Sequence, residues 1–291
     1  MKEITALVSR NRKLFFKDKG MLFSSMITPV ILIVLYATFL ANVYKDSFVS
    51  ATKDMIDLSD KIINGTAAAL LAVSCVTVTF CVNLTMVQDR ASGARKDFDV
   101  SPVSKTKIYI GYFLSTVLNS LMVNGTALAL CLLYILKMGW YMSASDVIFV
   151  ILDMILLVLF GSTLSSIVSY PLKTQGQLSA VGTIVSAGYG FVCGAYMPIS
   201  NFSSGLQKAL SYLPGTYGTS LVKNHMLNGV YKEMADTGLP SEAVTVIRNT
   251  LDCNPVFRGH VVGVPQMYLI MAGSIVVFGA AYLLIIMIRE R

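Results

Sequence analysis

Two uncharged runs, residues 62–88 and 108–136, flank a short segment crowded with charge. A helix needs about 20 apolar residues to cross the hydrocarbon core of a bilayer, and each run is long enough. Residues 21–44, 177–197 and 266–288 are also uncharged, while 146–170 carries just Asp146 and Asp153. Composition agrees: 55% of the 291 residues are hydrophobic, and the mean hydropathy is +0.67. Both values belong to membrane proteins. The reading is an all-α membrane protein with six transmembrane helices, near 21–44, 65–87, 108–136, 146–170, 177–197 and 266–288.

Residues 1–20 place Lys2, Arg10, Arg12, Lys13, Lys17 and Lys19 around Ile4, Leu7, Val8, Leu14 and Phe15 at near-helical spacing. This pattern predicts an amphipathic helix lying in the membrane interface, cations toward lipid headgroups. A signal peptide fits less well, for want of a small-residue cleavage site. Pro29 should kink the first span. Residues 198–265 form the longest connection, with Pro214-Gly215 dividing two short apolar patterns. A re-entrant or outer helical hairpin is expected there, followed by a polar cap over 230–264.

Six spans put both termini on one side. That side receives the N-terminal cations, five Lys or Arg within 88–107, Lys173, and Arg289 with Arg291. Cationic short loops mark the cytoplasm, so both termini and 88–107 are expected inside the cell, and 198–265 outside. The net charge of +7 belongs to these loops. No basic run interleaved with aromatics suggests nucleic-acid binding.

Several side chains stand out within the spans. Asn83, Asn119 and Asn124 either bond neighbouring helices or line a translocation path. Asp153 is the lone carboxylate well inside a span, about two turns below the outer surface. Such an acid is a functional candidate by default; snorkelling or a bond to a neighbouring helix is the alternative. Gly182, Ser186, Gly190 and Gly194 repeat every four residues and allow close helix approach, within the subunit or at a dimer seam. His225 and His260 are isolated and read as structural. Cys75, Cys81, Cys131, Cys193 and Cys253 lack metal-ligand spacing, and a Cys193–Cys253 disulfide is an open alternative.

Residues 88–107 hold eight charges in a chain that is 13% charged. Asp89, Arg90, Arg95, Lys96, Asp97 and Asp99 are expected to crowd one short helix that Pro102 stops. Such a helix lies in water, where a soluble partner reaches it; a solvated topology-setting loop is the plainer reading. The segment resembles the loop after the second span in ABC-2-type permeases. That family reads roughly acid-Arg-acid-x-Gly-Thr-x-acid-x-Leu-x-Val-Ser/Thr-Pro-Val-x-basic. Asp89, Arg90, Gly93, Val100, Ser101, Pro102, Val103 and Lys105 match, while Ala91, Ala94 and Lys96 depart from the usual acid, Thr and acid. Farther on, Met197-Pro198, Leu206, Leu213-Pro214 and Tyr217 are similar to that family's outer hairpin.

The resemblance implies a separate ATP-binding cassette subunit, which supplies the ATP and Mg site, and a second permease copy, identical or not. This chain has no Gly-Lys dipeptide and hence no phosphate loop; it is expected to hold no cofactor, metal or catalytic residue. The 89–103 segment would act as the coupling helix, through Asp89, Arg90, Gly93, Arg95, Lys96, Asp97, Phe98, Ser101, Pro102 and Val103. Phe98 would be the apolar anchor in the cassette's groove, and Gly93 would permit close approach. By the same analogy the direction is export across a bacterial plasma membrane. The cargo reading is an amphipathic drug, peptide or lipid-like molecule, because no aromatic ladder suits a polysaccharide or glycolipid. An ion-coupled secondary transporter lacks support in inverted repeats or further buried acids. An intramembrane hydrolase would want a second Asp or a His-Glu-x-x-His motif.

Overall fold

The computed structural model describes residues 2–35, 59–236, 238 and 240–289. Among them are eleven α-helices and one two-residue-per-strand hairpin. The helices are α1 (Lys2–Lys17), α2 (Lys19–Leu35), α3 (Ser59–Ala91), α4 (Arg95–Asp99), α5 (Lys105–Met138) and α6 (Ala144–Ser169). They continue as α7 (Gln175–Val192), α8 (Ser204–Leu210), α9 (Pro214–Asp236), α10 (Ser241–Thr250) and α11 (Val264–Arg289).

Four stretches are long and apolar enough to cross a membrane among the described residues: Ala67–Ala91, Lys105–Lys137, Ala144–Ser169 and Val264–Arg289. They lie in α3, α5, α6 and α11 and correspond to the expected second, third, fourth and sixth spans. The expected first span is described only as far as Leu35, within α2; the rest of it, and residues 45–58, lie outside the described residues. Helix α7, the expected fifth span, has 18 residues and is less apolar than those four.

Helix α3 is the hub. In its most apolar stretch 89% of residues are buried inside the molecule, against 17% in α11. It packs against α2, α5, α6, α7 and α9. Its face toward α6 is made of small residues, Ala68, Ala72 and Cys75 with Val76, all buried. Gly161 of α6 lets the backbones meet: a Cβ there would stand 2.6 Å from Thr79 Oγ1 and 3.0 Å from Val76 Cα. Helix α11 leaves Leu269, Val276, Val277, Leu284 and Ile288 exposed. In a bilayer such a face meets lipid tails and needs no protein cover.

Ends of the helices follow local chemistry. Ser143 and Asp146 form a capping box at the start of α6, and Thr174 and Gln177 do the same for α7; each satisfies backbone N–H groups that the first turn leaves unpaired. Helix α1 buries Leu7, Asn11 and Phe15, one per turn, against α5. The charged segment departs from expectation. Asp89 and Arg90 finish α3, Gly93 breaks the chain at φ +83°, and only Arg95–Asp99 form the short helix α4. A positive φ at that break suits a residue without a Cβ.

The long connection also differs from the sequence reading. Pro214 opens α9 as its first helical residue, a position that needs no N–H, and α9 then runs 23 residues rather than stopping short. It is buried along most of its length, packed against α3, α6 and α11. Lys223, 1% exposed, sits on it. Its ammonium donates to the Gly194 carbonyl at 2.7 Å, beyond the end of α7, and lies 3.8 Å from Asp252. Asp252 in turn accepts from the Ile199 N–H at 2.7 Å. Burial pushes its carboxyl above the usual carboxylate range, with Lys223 and the backbone donors opposing. Cys193 and Cys253 are both buried and free, so the disulfide alternative fails; the Cys253 sulfur meets Tyr231 Oη at 3.2 Å. The expected small-residue seam is partly filled by the chain itself. A Cβ on Gly190 would strike the Tyr196 ring, and one on Gly194 would strike Ile199, while Gly182 faces open space.

Candidate functional site

The charged segment is fastened to the spans at its root. Asp89, 7% exposed, accepts from Arg10 Nη1 at 2.7 Å and Nη2 at 3.1 Å, and from Tyr112 Oη at 2.5 Å. Two parallel bonds between guanidinium and carboxylate fix direction as well as distance. Asn11 beside Arg10 donates to Ser115 Oγ at 3.3 Å. These contacts tie α1, α3 and α5 into one corner. Arg90 reaches the other way. It donates to the carbonyls of Tyr170, Leu172 at 3.1 Å and Ser169 at 3.4 Å, and to Tyr109 Oη at 3.1 Å. The last carbonyls of a helix lack intrahelical partners and carry partial negative charge, so Arg90 closes the end of α6.

Past Gly93 the segment divides into inward and outward faces. Phe98 is half-buried against a cluster that includes Leu7 and Tyr109, and the Arg10 guanidinium lies 4.9 Å from its ring centroid. Arg95 covers the Tyr109 ring at 4.6 Å. Ser101 Oγ donates to the Phe98 carbonyl at 2.8 Å. Lys96, Asp97 and Pro102 are exposed, and Val100 is 87% exposed. Phe98 is thus half-buried within this molecule. Val100 is the apolar side chain offered outward. The element covering Phe98 is α1, far away in the chain.

The four polar residues proposed for a path are all buried and lie on three helices. Asn83 bonds Ser165 at 3.4 Å and receives Thr116 at 3.3 Å. Asn124 accepts from Ser74 at 2.7 Å and donates to the Ser120 carbonyl at 2.9 Å. These bonds join α3 to α5 and α6, the packing alternative. Asn119 is buried too. Asp153 stands apart from them. It is 1% exposed and bonds His225 Nδ1 through Oδ2 at 2.6 Å and Tyr268 Oη through Oδ1 at 2.6 Å. Phe149 stacks on the His225 ring, with centroids 4.9 Å apart. So His225 is not isolated. The signal was present in sequence: His225, Asn228 and Lys232 fall on one helical face, and Asp146 and Asp153 on another. Asn228 does bond Asp146, at 2.7 Å.

A family model described as ABC-2 family transporter protein matches residues 56–288. The chain belongs to the ABC-2 transporter family. No curated protein and no solved structure matches it. It is a multi-pass membrane protein and the membrane permease of an ABC transporter, a transport component; family membership implies an ATP-binding cassette subunit as its companion. The match includes the whole charged segment and the α9 region, and begins after α2.

Proposed function

We propose that this permease exports an amphipathic drug, peptide or lipid-like molecule, driven by ATP and Mg bound in a separate cassette subunit. Two permease copies and two cassettes make the working unit. The chain crosses the bacterial plasma membrane six times, with α2 and α7 in the first and fifth spans, both termini cytoplasmic, α1 in the lipid interface, and 198–265 outside. Residues 89–103 dock on the cassette through Lys96, Asp97, Val100 and Pro102. The root of the segment supports this reading most strongly. Asp89 grips α1 and α5, and Arg90 grips the end of α6. A push on α4 reaches three helices through short, charge-assisted bonds, which suits a rigid-body transition between two states.

Reconstitution with the cassette in liposomes tests direction and energy source together. Export predicts ATP-dependent movement of an amphipathic dye away from the cassette face, insensitive to a protonophore. Movement that needs an ion gradient and ignores ATP would favour the secondary-transporter reading.

A further inference from the structure

Helix α9 is bonded in two directions. Toward 193–254 it shares Lys223 with the Gly194 carbonyl, Ser220 with the Asp252 carbonyl at 2.7 Å, and Asn224 with the Cys253 carbonyl at 2.5 Å. These partners lie in the same connection between α7 and α11, so α9 and its cap hold together as a unit. Toward the long spans its described side-chain bonds are His225 to Asp153 and Asn228 to Asp146, both on α6. Asp153 is held at the same time by Tyr268 of α11. Helix α9 also buries Tyr217, Leu221, Val222 and Met226 in the core cluster it shares with α3, α6 and α11, and parting a buried carboxylate from its imidazole and phenol partners is costly on top of that. The polar cluster adds a directional hold to that apolar seat.

We infer that Asp153, His225 and Tyr268 form a latch that seats the α9 unit against α6 and α11, and that each transport cycle opens it. His225 is thus a positioning residue for transport, a role that rests on the exporter reading above. Phe149, stacked on the imidazole and 43% exposed, covers the latch on its open side. Asp146 and Asp153 of α6 each hold a side chain of α9, so a displacement of α9 away from α6 strains both bonds.

Hydrogen exchange of residues 214–236 in the permease–cassette complex, in nanodiscs, tests this. In the wild type, vanadate-trapped nucleotide should speed exchange there about tenfold, the scale of one charged hydrogen bond. Asp153→Asn and His225→Gln should show fast exchange without nucleotide and gain little from trapping. The double variant should exceed neither single by much, since one bond is removed twice. Tyr268→Phe, which loses a single bond to the same carboxylate, should fall between, and serves if the stronger variants fold poorly. Unchanged exchange on trapping while the wild-type complex hydrolyses ATP would overturn the latch. Simple addition of the single effects would overturn it too. No cassette-dependent hydrolysis at all would instead strike the exporter reading and take the latch with it.

Discussion

Individual side chains here carry either a bond or a gap, and each can be removed. Gly229 of α9 meets the loop before α6 so closely that a Cβ would lie 1.7 Å from the Tyr141 carbonyl oxygen. Gly229→Ala must push backbone apart, and we expect the folded yield in detergent to collapse. Gly273→Ala in α11 meets nothing within 4 Å and should be neutral or gain up to about 1 kcal/mol from helix propensity. Lys223→Met strips the buried carboxylate of Asp252 of its cation. Leaving one buried ion unpaired costs about 3–5 kcal/mol, and thermal unfolding should report a loss in that direction. Lys223→Met with Asp252→Asn should recover part of it, since no charge is then stranded. An equal loss in the single and double variants would show that the pair is not the cause.

At the scale of elements, α4 shows what sequence reveals and what it hides. The segment's charge, its Pro102 stop and its place between two uncharged runs were legible, because a bilayer leaves such a segment nowhere to go but water. Its inner construction was not. Gly93 splits the expected helix, and the inward face is set by α1, whose contact lies some eighty residues away in the chain. Phe98 is consequently half-buried while Val100 is exposed, a division that periodicity alone does not show. Phe98→Ala should destabilise the purified permease by about 1–2 kcal/mol for a half-buried ring, seen as a lower thermal midpoint, and leave cassette affinity near the wild-type value. Helix α9 teaches the same lesson. Its length was underestimated because Lys223, Asn224, His225 and Asn228 interrupt the apolar pattern. Each of those polar groups is matched by a bond to α6 or to the cap, and periodicity within one segment cannot reveal a partner in another.

The whole molecule rests on α3, and the long apolar runs that become α3, α5, α6 and α11 were visible directly from charge and length. Orientation is the claim that belongs at this scale. Cysteine substitutions in a background without native thiols, labelled on intact cells, should leave positions 2 and 96 protected and position 236 reactive. Reagent reaching 2 or 96 from outside would reverse the topology and detach the charged segment from any cytosolic partner.

Residues 89–103 are proposed to receive the cassette's motion through their outward face. Val100→Asp tests this most directly, because Val100 touches solvent and its loss should not disturb the spans. Val100→Asp should purify with normal thermal stability, bind the cassette about tenfold more weakly or worse, and lose cargo-stimulated ATP hydrolysis. Undiminished co-purification together with undiminished cargo-stimulated hydrolysis would reduce the segment to a loop that sets topology.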